Sequence, residues 1–89
     1  MKVLFTKSFA KDLRKYKKNR GVLNQIRQII ENVEQAETLT KFPNLKQLKT
    51  KGLYYRIRTG DYRVGMTIEE DTVTFVRVLH RKEIYCFFP

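Results

Sequence analysis

The sequence predicts an α+β fold in which an N-terminal strand and a helical hairpin pack on one face of a small antiparallel sheet, in the order β-α-α-β-β-β. Apolar residues recur at helical spacing between Phe9 and Val33, and the spacing switches to two from Leu53 onward. A short Val-, Leu- and Phe-containing stretch precedes the first helix. With 89 residues, 42% of them hydrophobic, the chain can bury one core and has little room for a second, so residues 1–89 are expected to form a single domain.

Met1 to Phe5 reads as a strand, and Thr6 or Ser8 offers the side-chain oxygen that caps a helix. Phe9, Leu13 and Tyr16 follow at i, i+4 and i+7, whereas Lys11, Arg14, Lys15, Lys17 and Lys18 fall mostly off that stripe. This helix should bury its aromatics and show a basic exterior. Asn19-Arg20-Gly21 is expected to stop it and turn the chain. A second helix is predicted from about Val22 to Ala36, with Leu23, Ile26, Ile30 and Val33 facing inward and Glu31, Glu34 and Glu37 off that face.

Thr38 to Gly52 loses the helical period and contains Pro43, so it reads as a loop with a turn around Asn44 to Leu48, pinned to the core by Leu45 and Leu48. From Leu53 the side chains alternate. Leu53, Tyr55 and Ile57 take the core face, and Tyr54, Arg56 and Arg58 the other. After a turn at Thr59-Gly60-Asp61, Tyr62, Val64, Met66 and Ile68 point one way and Arg63, Gly65 and Thr67 the other. Glu69-Glu70-Asp71 makes the next turn, and Val73 to Leu79 forms a third strand whose two parities are both apolar, which suits a central position. One sheet face is covered by the helices; the face with Arg56, Arg58 and Arg63 is expected to lie open.

The formal net charge is +10 and unevenly spread: +7 in residues 1–20, −2 in 21–40, +6 in 41–60 and −1 in 61–89. Two basic blocks meeting on one surface would attract a polyanion, although charge alone equally suits solubility or an acidic protein partner. The lone Cys86 excludes an internal disulfide, and a reducing, cytoplasmic setting is the default. The apolar run before Lys7 is too short for a signal peptide, and no segment is long enough to cross a bilayer, so no membrane association is expected.

Arg56, Arg58 and Arg63 converge if the hairpin pairs in simple register. Three guanidiniums on one surface repel each other, and an incoming phosphate relieves that cost by accepting from their planar forks. Cross-strand acids would be the structural alternative, but no Glu or Asp lies between Leu53 and Thr59. His80, the single histidine, and Arg81 stand in the following turn, with Tyr85 beyond it. On the residues alone, that corner reads as a site or as packing.

The stretch Tyr55-Arg56-Ile57-Arg58-Thr59-Gly60-Asp61-Tyr62-Arg63-Val64, followed by His80-Arg81 and Ile84-Tyr85, resembles the RelE/ParE toxin superfamily. Phe5 to Leu13 is similar to that family's first strand and helix. The resemblance spans nearly the whole chain and points to the RelE-like branch of messenger RNA interferases from type II toxin–antitoxin systems. It implies a cytoplasmic endoribonuclease that cuts mRNA on the ribosome, and a cognate antitoxin that neutralises it. Arg63, Arg81, Tyr85 and His80 become the expected catalytic residues; Arg56, Arg58, Lys49 and Lys51 become the expected RNA-binding residues. Some members have lysines at the positions of Arg56 and Arg58. Arginine stays protonated at working pH, so neither can serve readily as a general base.

Attack of a ribose 2′-hydroxyl on the adjacent phosphate needs a proton acceptor, donors for the developing charge and a proton for the leaving 5′-oxygen. Arg63 and Arg81 suit the charge. His80 is preferred to Tyr85 as base because imidazole titrates near neutrality. One histidine and no acidic cluster at ligand spacing argue against a metal nuclease, so neither a metal nor another cofactor is expected. Two further readings stay open: a ParE-like inhibitor of a topoisomerase with no nuclease activity, and a non-catalytic RNA-binding module. The tail Cys86 to Pro89 is expected to leave no room for a further C-terminal helix.

Overall fold

The computed structural model describes residues 1–39, 42–48 and 52–89. The chain runs β1 (Lys2–Phe5), α1 (Lys7–Lys15), α2 (Arg20–Gln35), β2 (Leu45–Gln47), β3 (Tyr54–Thr59), β4 (Tyr62–Glu69), β5 (Thr72–His80) and α3 (Ile84–Phe87). The predicted α+β arrangement stands. Two short elements are added to it, and the sheet is mixed rather than purely antiparallel. Its order is β1-β5-β4-β3-β2, with β1 parallel to β5 and every other pair antiparallel.

Thr6 caps α1, its hydroxyl accepting from the Phe9 amide at 3.1 Å. Asn19 does the same for α2, accepting from Val22 N–H at 3.2 Å. Asn19-Arg20-Gly21 is therefore not a stop with a glycine turn: Asn19 begins the next helix, and Arg20 and Gly21 lie within it. The buried face of α2 is Val22, Ile26, Ile29 and Val33, rotated from the predicted one, while Leu23 and Ile30 are half-buried beside Leu13 of α1.

The larger core lies between the helices and the sheet, where Phe9, Ile26 and Val33 meet Ile57, Val64, Met66, Val73, Phe75 and Val78. Leu53, expected on that face, is instead exposed at the start of the β3 hairpin. β5 is central, as its apolar character predicted, and its ambiguous phase has a cause. The pairing shifts between Gly65↔Arg77 and Met66↔Phe75, a bulge that places one extra residue in β5. Val73 and Phe75 before it, and Val78 after it, all reach the helix-side core, while Val76 and Leu79 reach the opposite face.

That opposite face is not left open. Leu48, Leu79, Ile84 and Phe88 form a second small core there, flanked by Tyr54 and Val76. α3 and the residue after it thus cover part of the sheet face that was expected to lie open. Phe88 lies so close to β4 that a Cβ at Gly65 would sit 2.8 Å from its ring carbons, so this position must be glycine for the ring to settle. The expected loop also contains β2, which pairs with β3. Leu45 and Leu48 do pin the segment, one to each core.

Beyond Phe75, β5 loses its β1 neighbour, and α1 satisfies the exposed edge. Thr6 donates its hydroxyl to Val76 C=O at 2.9 Å, and the Asp12 carboxylate accepts from Val78 N–H at 3.0 Å. Asp12 is 1% exposed and also takes the Arg77 guanidinium at 2.7 and 3.1 Å. Its carboxylate is fully engaged in fastening helix to strand.

Candidate functional site

β3 and β4 are joined by a two-residue turn in which Gly60 takes a left-handed φ of 57° and Thr59 faces Tyr62. Register is thereby simple, and Arg58 stands directly opposite Arg63. Both have the parity opposite to buried Ile57 and Val64, and so leave the sheet on the face away from α1 and α2. Arg56, two residues before Arg58, joins them.

Each guanidinium is oriented. Arg63 Nη1 donates to the carbonyls of Gly60 and Tyr62, each at 2.9 Å, so the turn that sets the register also fixes this side chain. Arg56 Nε donates to the Tyr85 hydroxyl at 3.3 Å and its Nη1 to Asn44 C=O at 3.4 Å. Arg58 Nη2 donates to Asn44 Oδ1 at 3.4 Å. Arg81 follows β5; its amide donates to Asp61 C=O at 2.7 Å and its guanidinium lies 3.8 Å from the Asp61 carboxylate.

Tyr85 arrives from α3. Ile84, fully buried in the second core, and Phe88, 2% exposed, hold this single helical turn, while Tyr85 between them is 62% exposed. The electrostatics confirm that these groups share one locale. The Arg63 guanidinium is pushed below the ordinary arginine value, chiefly by burial and then by the charges of Arg56 and Arg58. Tyr85 opposes that shift and Arg81 adds to it. Four cations around one exposed phenol make a site that an oxyanion would stabilise.

The structure thus brings Arg56, Arg58, Arg63, Arg81 and Tyr85 together. It does not bring His80. That ring lies edge-on to Tyr62, its partner across the strands, at 5.6 Å, on the helix-covered face, and its Nδ1 accepts from the Lys82 amide at 3.2 Å. Both features direct it away from the cluster. Lys49 and Lys51 fall outside the described residues. Asn44 was missed by the sequence reading. It adopts φ 62°, a left-handed conformation that Asn tolerates, and binds two of the arginines through its main-chain and side-chain oxygens. Its place after Pro43, a common turn pair, was the available signal.

Comparison with known proteins bears on the family and the fold. The family model of the ParE toxin of type II toxin–antitoxin systems, parDE, matches residues 3–85. Toxin RelE3 of Methanocaldococcus jannaschii is 43% identical over 90 residues, covering 100% of both chains. The crystal structure of a RelB-RelE antitoxin-toxin complex from Methanococcus jannaschii contains a chain that superposes with a TM-score of 0.79 at 41% identity, covering 97% of this chain and 99% of that one. YafQ from E. coli strain BL21(DE3) shares the fold at a TM-score of 0.75 with 13% identity, over 93% and 96% of the two chains. A matching family model along nearly the whole sequence, together with a full-length relative at 43% identity, shows that the chain belongs to the RelE/ParE family and is a toxin of a toxin–antitoxin system.

Proposed function

We propose that this toxin is an endoribonuclease that cuts messenger RNA on the ribosome, in the cytoplasm, without a metal ion, by attack of a ribose 2′-hydroxyl on the adjacent phosphate. The observation that carries this reading is the cluster of Arg56, Arg58, Arg63 and Arg81 around the exposed hydroxyl of Tyr85. Guanidiniums already held by carbonyls and a phenol need little reorganisation when charge develops on a phosphate. Arg63, fixed by two carbonyls, stabilises the pentavalent phosphorus; Arg58 and Arg81, both exposed, hold the backbone on either side.

The 2′-oxygen forms a bond to phosphorus and gives up its proton, the P–O5′ bond breaks, and the leaving oxygen gains a proton. The products are a 2′,3′-cyclic phosphate and a 5′-hydroxyl. Tyr85 is the group at the cluster that can both donate and accept a proton, and its hydroxyl already receives a hydrogen bond from Arg56. The proton-transfer role therefore passes from His80, which stands on the other face, to Tyr85. By analogy with the relative crystallised with an antitoxin, a cognate antitoxin of acidic character would silence the toxin by covering the same arginines.

A second reading, inhibition of a topoisomerase without RNA cleavage, is favoured by the ParE description of the matching family model. One experiment separates them. After brief expression, new 5′ ends are mapped on translated and untranslated messages. The nuclease reading expects cuts confined to translated regions. Intact messages with damaged DNA would replace it with the ParE-like reading, and equal cutting of untranslated RNA would remove the ribosome requirement.

A further inference from the structure

α3 is one helical turn with no side-chain cap at its start, and a turn that short cannot hold its own shape. Its buried anchors are Ile84 and Phe88, the latter still bonded through its amide to Ile84 C=O at 2.8 Å. At about 100° per residue these two project as one row, with Tyr85 and Phe87 about 80° to either side of it. A row of two anchors fixes where the turn sits and leaves it free to rock about the line between them. Rocking swings the Tyr85 hydroxyl toward or away from the arginines. On its own flank Tyr85 is restrained through the 3.3 Å bond from Arg56, a long bond to a group that must also serve the phosphate. The roll of α3 is therefore set from the other flank.

That flank ends on Arg77. Its guanidinium carbon lies 5.9 Å from the Phe87 ring centroid, within the roughly 6 Å reach of a cation–π contact. Arg77 stands on β5 just past Phe75, the last residue paired with β1, and opposite Gly65, where a Cβ would point at Phe88. Its side chain therefore leaves on the face of α3 and turns round the free edge of β5 to reach Asp12 on α1. Buried Asp12 takes it with two bonds, at 2.7 and 3.1 Å, and is itself held by the Val78 amide. The hydrogen bond to Asp12 holds the Arg77 guanidinium above the ordinary arginine value, and the charge of Glu83, immediately before α3, adds to that pull. Phe87 is 56% exposed and belongs to neither core; what its ring covers is this fixed cation.

We propose that Arg77, locked on Asp12, is a positioning residue for the cleavage reaction: by holding the ring of Phe87 it fixes the roll of α3 and so aims Tyr85 at the arginine cluster. Arg77 touches no reacting group and acts through Phe87 and the turn that carries it. Fastening α1 to β5 is a separate duty, which the Asp12 carboxylate performs whether or not a ring lies on the guanidinium. The inference rests on the reading that Tyr85 serves RNA cleavage, but the position of Tyr85 can be measured without cleavage.

The test uses the full chain in two forms. Phe87→Leu keeps an apolar side chain at an exposed place and leaves the Asp12–Arg77 pair intact, whereas Phe87→Trp keeps an aromatic face. Position is read from the Arg56 Nε–H resonance, identified by its absence in Arg56→Lys, whose hydrogen exchange is slowed by the bond to Tyr85. Phe87→Leu is expected to speed that exchange, and to lower kcat on ribosome-bound message with KM unchanged, each by about 2- to 5-fold, the range of an exposed cation–π contact. Phe87→Trp should keep both at the wild-type value. In the background Asp12→Asn/Arg77→Met, which leaves no buried charge unpaired, Phe87→Leu should change neither further. Wild-type exchange in Phe87→Leu would overturn the proposal, as would an equal loss in Phe87→Trp or the same effect of Phe87→Leu in both backgrounds. If the wild-type protein cuts no message, the nuclease reading falls, and exchange at Arg56 still decides whether Arg77 aims Tyr85.

Discussion

Replacing Gly65 with alanine tests how the fold delivers Tyr85 to the arginines. A Cβ there would lie 2.8 Å from three carbons of the Phe88 ring, where ordinary contact begins at 3.4 Å, so the ring must withdraw by the difference, about 0.6 Å. Phe88 is 2% exposed and closed in by Leu48, Leu79 and Ile84, with Tyr54 edge-on at 5.5 Å, so it cannot withdraw without disturbing α3. Overpacking of this kind costs about 1–3 kcal/mol, of which about 0.5–1 is offset because alanine is better than glycine in a strand. The net, about 0.5–2 kcal/mol, should lower the thermal midpoint by roughly 3–12 °C for a domain of this size. A displacement of that order at a positioned group can cost up to about 10²-fold in rate, so cleavage should fall further than the loss of folded protein explains. Circular dichroism melting and cleavage of ribosome-bound message measure the two effects. A second substitution, Phe88→Leu, should recover part of the stability in the Gly65→Ala background, a coupling that a double-mutant cycle reads directly. An alanine variant with the wild-type midpoint and rate would refute the seating of Phe88 on Gly65 and the route by which α3 places Tyr85.

Asp12→Ala removes a buried carboxylate and strands both Arg77 and the Val78 amide, so urea unfolding should show a loss of about 3–5 kcal/mol; a loss below about 1 would mean that the edge of β5 is held by other contacts. Tyr85→Phe should lower the cleavage rate by about 10²–10⁴-fold, the range for a lost proton-transfer group, while ribosome affinity stays the same. His80→Gln should change that rate by less than about threefold; a fall on the order of 10²-fold would return the proton-transfer role to His80. Cleavage should persist at full rate when ribosome-bound message is presented with the toxin pretreated with chelator and then freed of it.

Much of this architecture is legible in the residues because one physical signal dominates each element. The period of Phe9, Leu13 and Tyr16 gives α1, and strict alternation with a Gly60-Asp61 turn gives the β3–β4 hairpin and its register, hence the convergence of Arg56, Arg58 and Arg63. Signals that depend on tertiary contacts are weaker. β2 has three residues and α3 four, too few for either period to show. The second core was invisible because Leu48, Leu79, Ile84 and Phe88 are scattered in sequence and meet only across the sheet. α2 carries apolar residues at 22, 23, 26, 29, 30 and 33, a stripe so wide that its inward centre is decided by packing. His80 was read as a base from the general chemistry of imidazole, whereas strand parity aligns it with Val78 and Tyr62, facing the helices.

The central claim is that the 2′-hydroxyl of the message is the nucleophile at the arginine cluster. The most direct measurement places a single 2′-deoxynucleotide on the 5′ side of a mapped cut in a ribosome-bound message and follows cleavage by the purified toxin. Loss of the cut at that position, with neighbouring sites still cleaved to 5′-hydroxyl ends, is the result expected. Cutting at an undiminished rate through the deoxynucleotide, or products with 5′-phosphates, would contradict it.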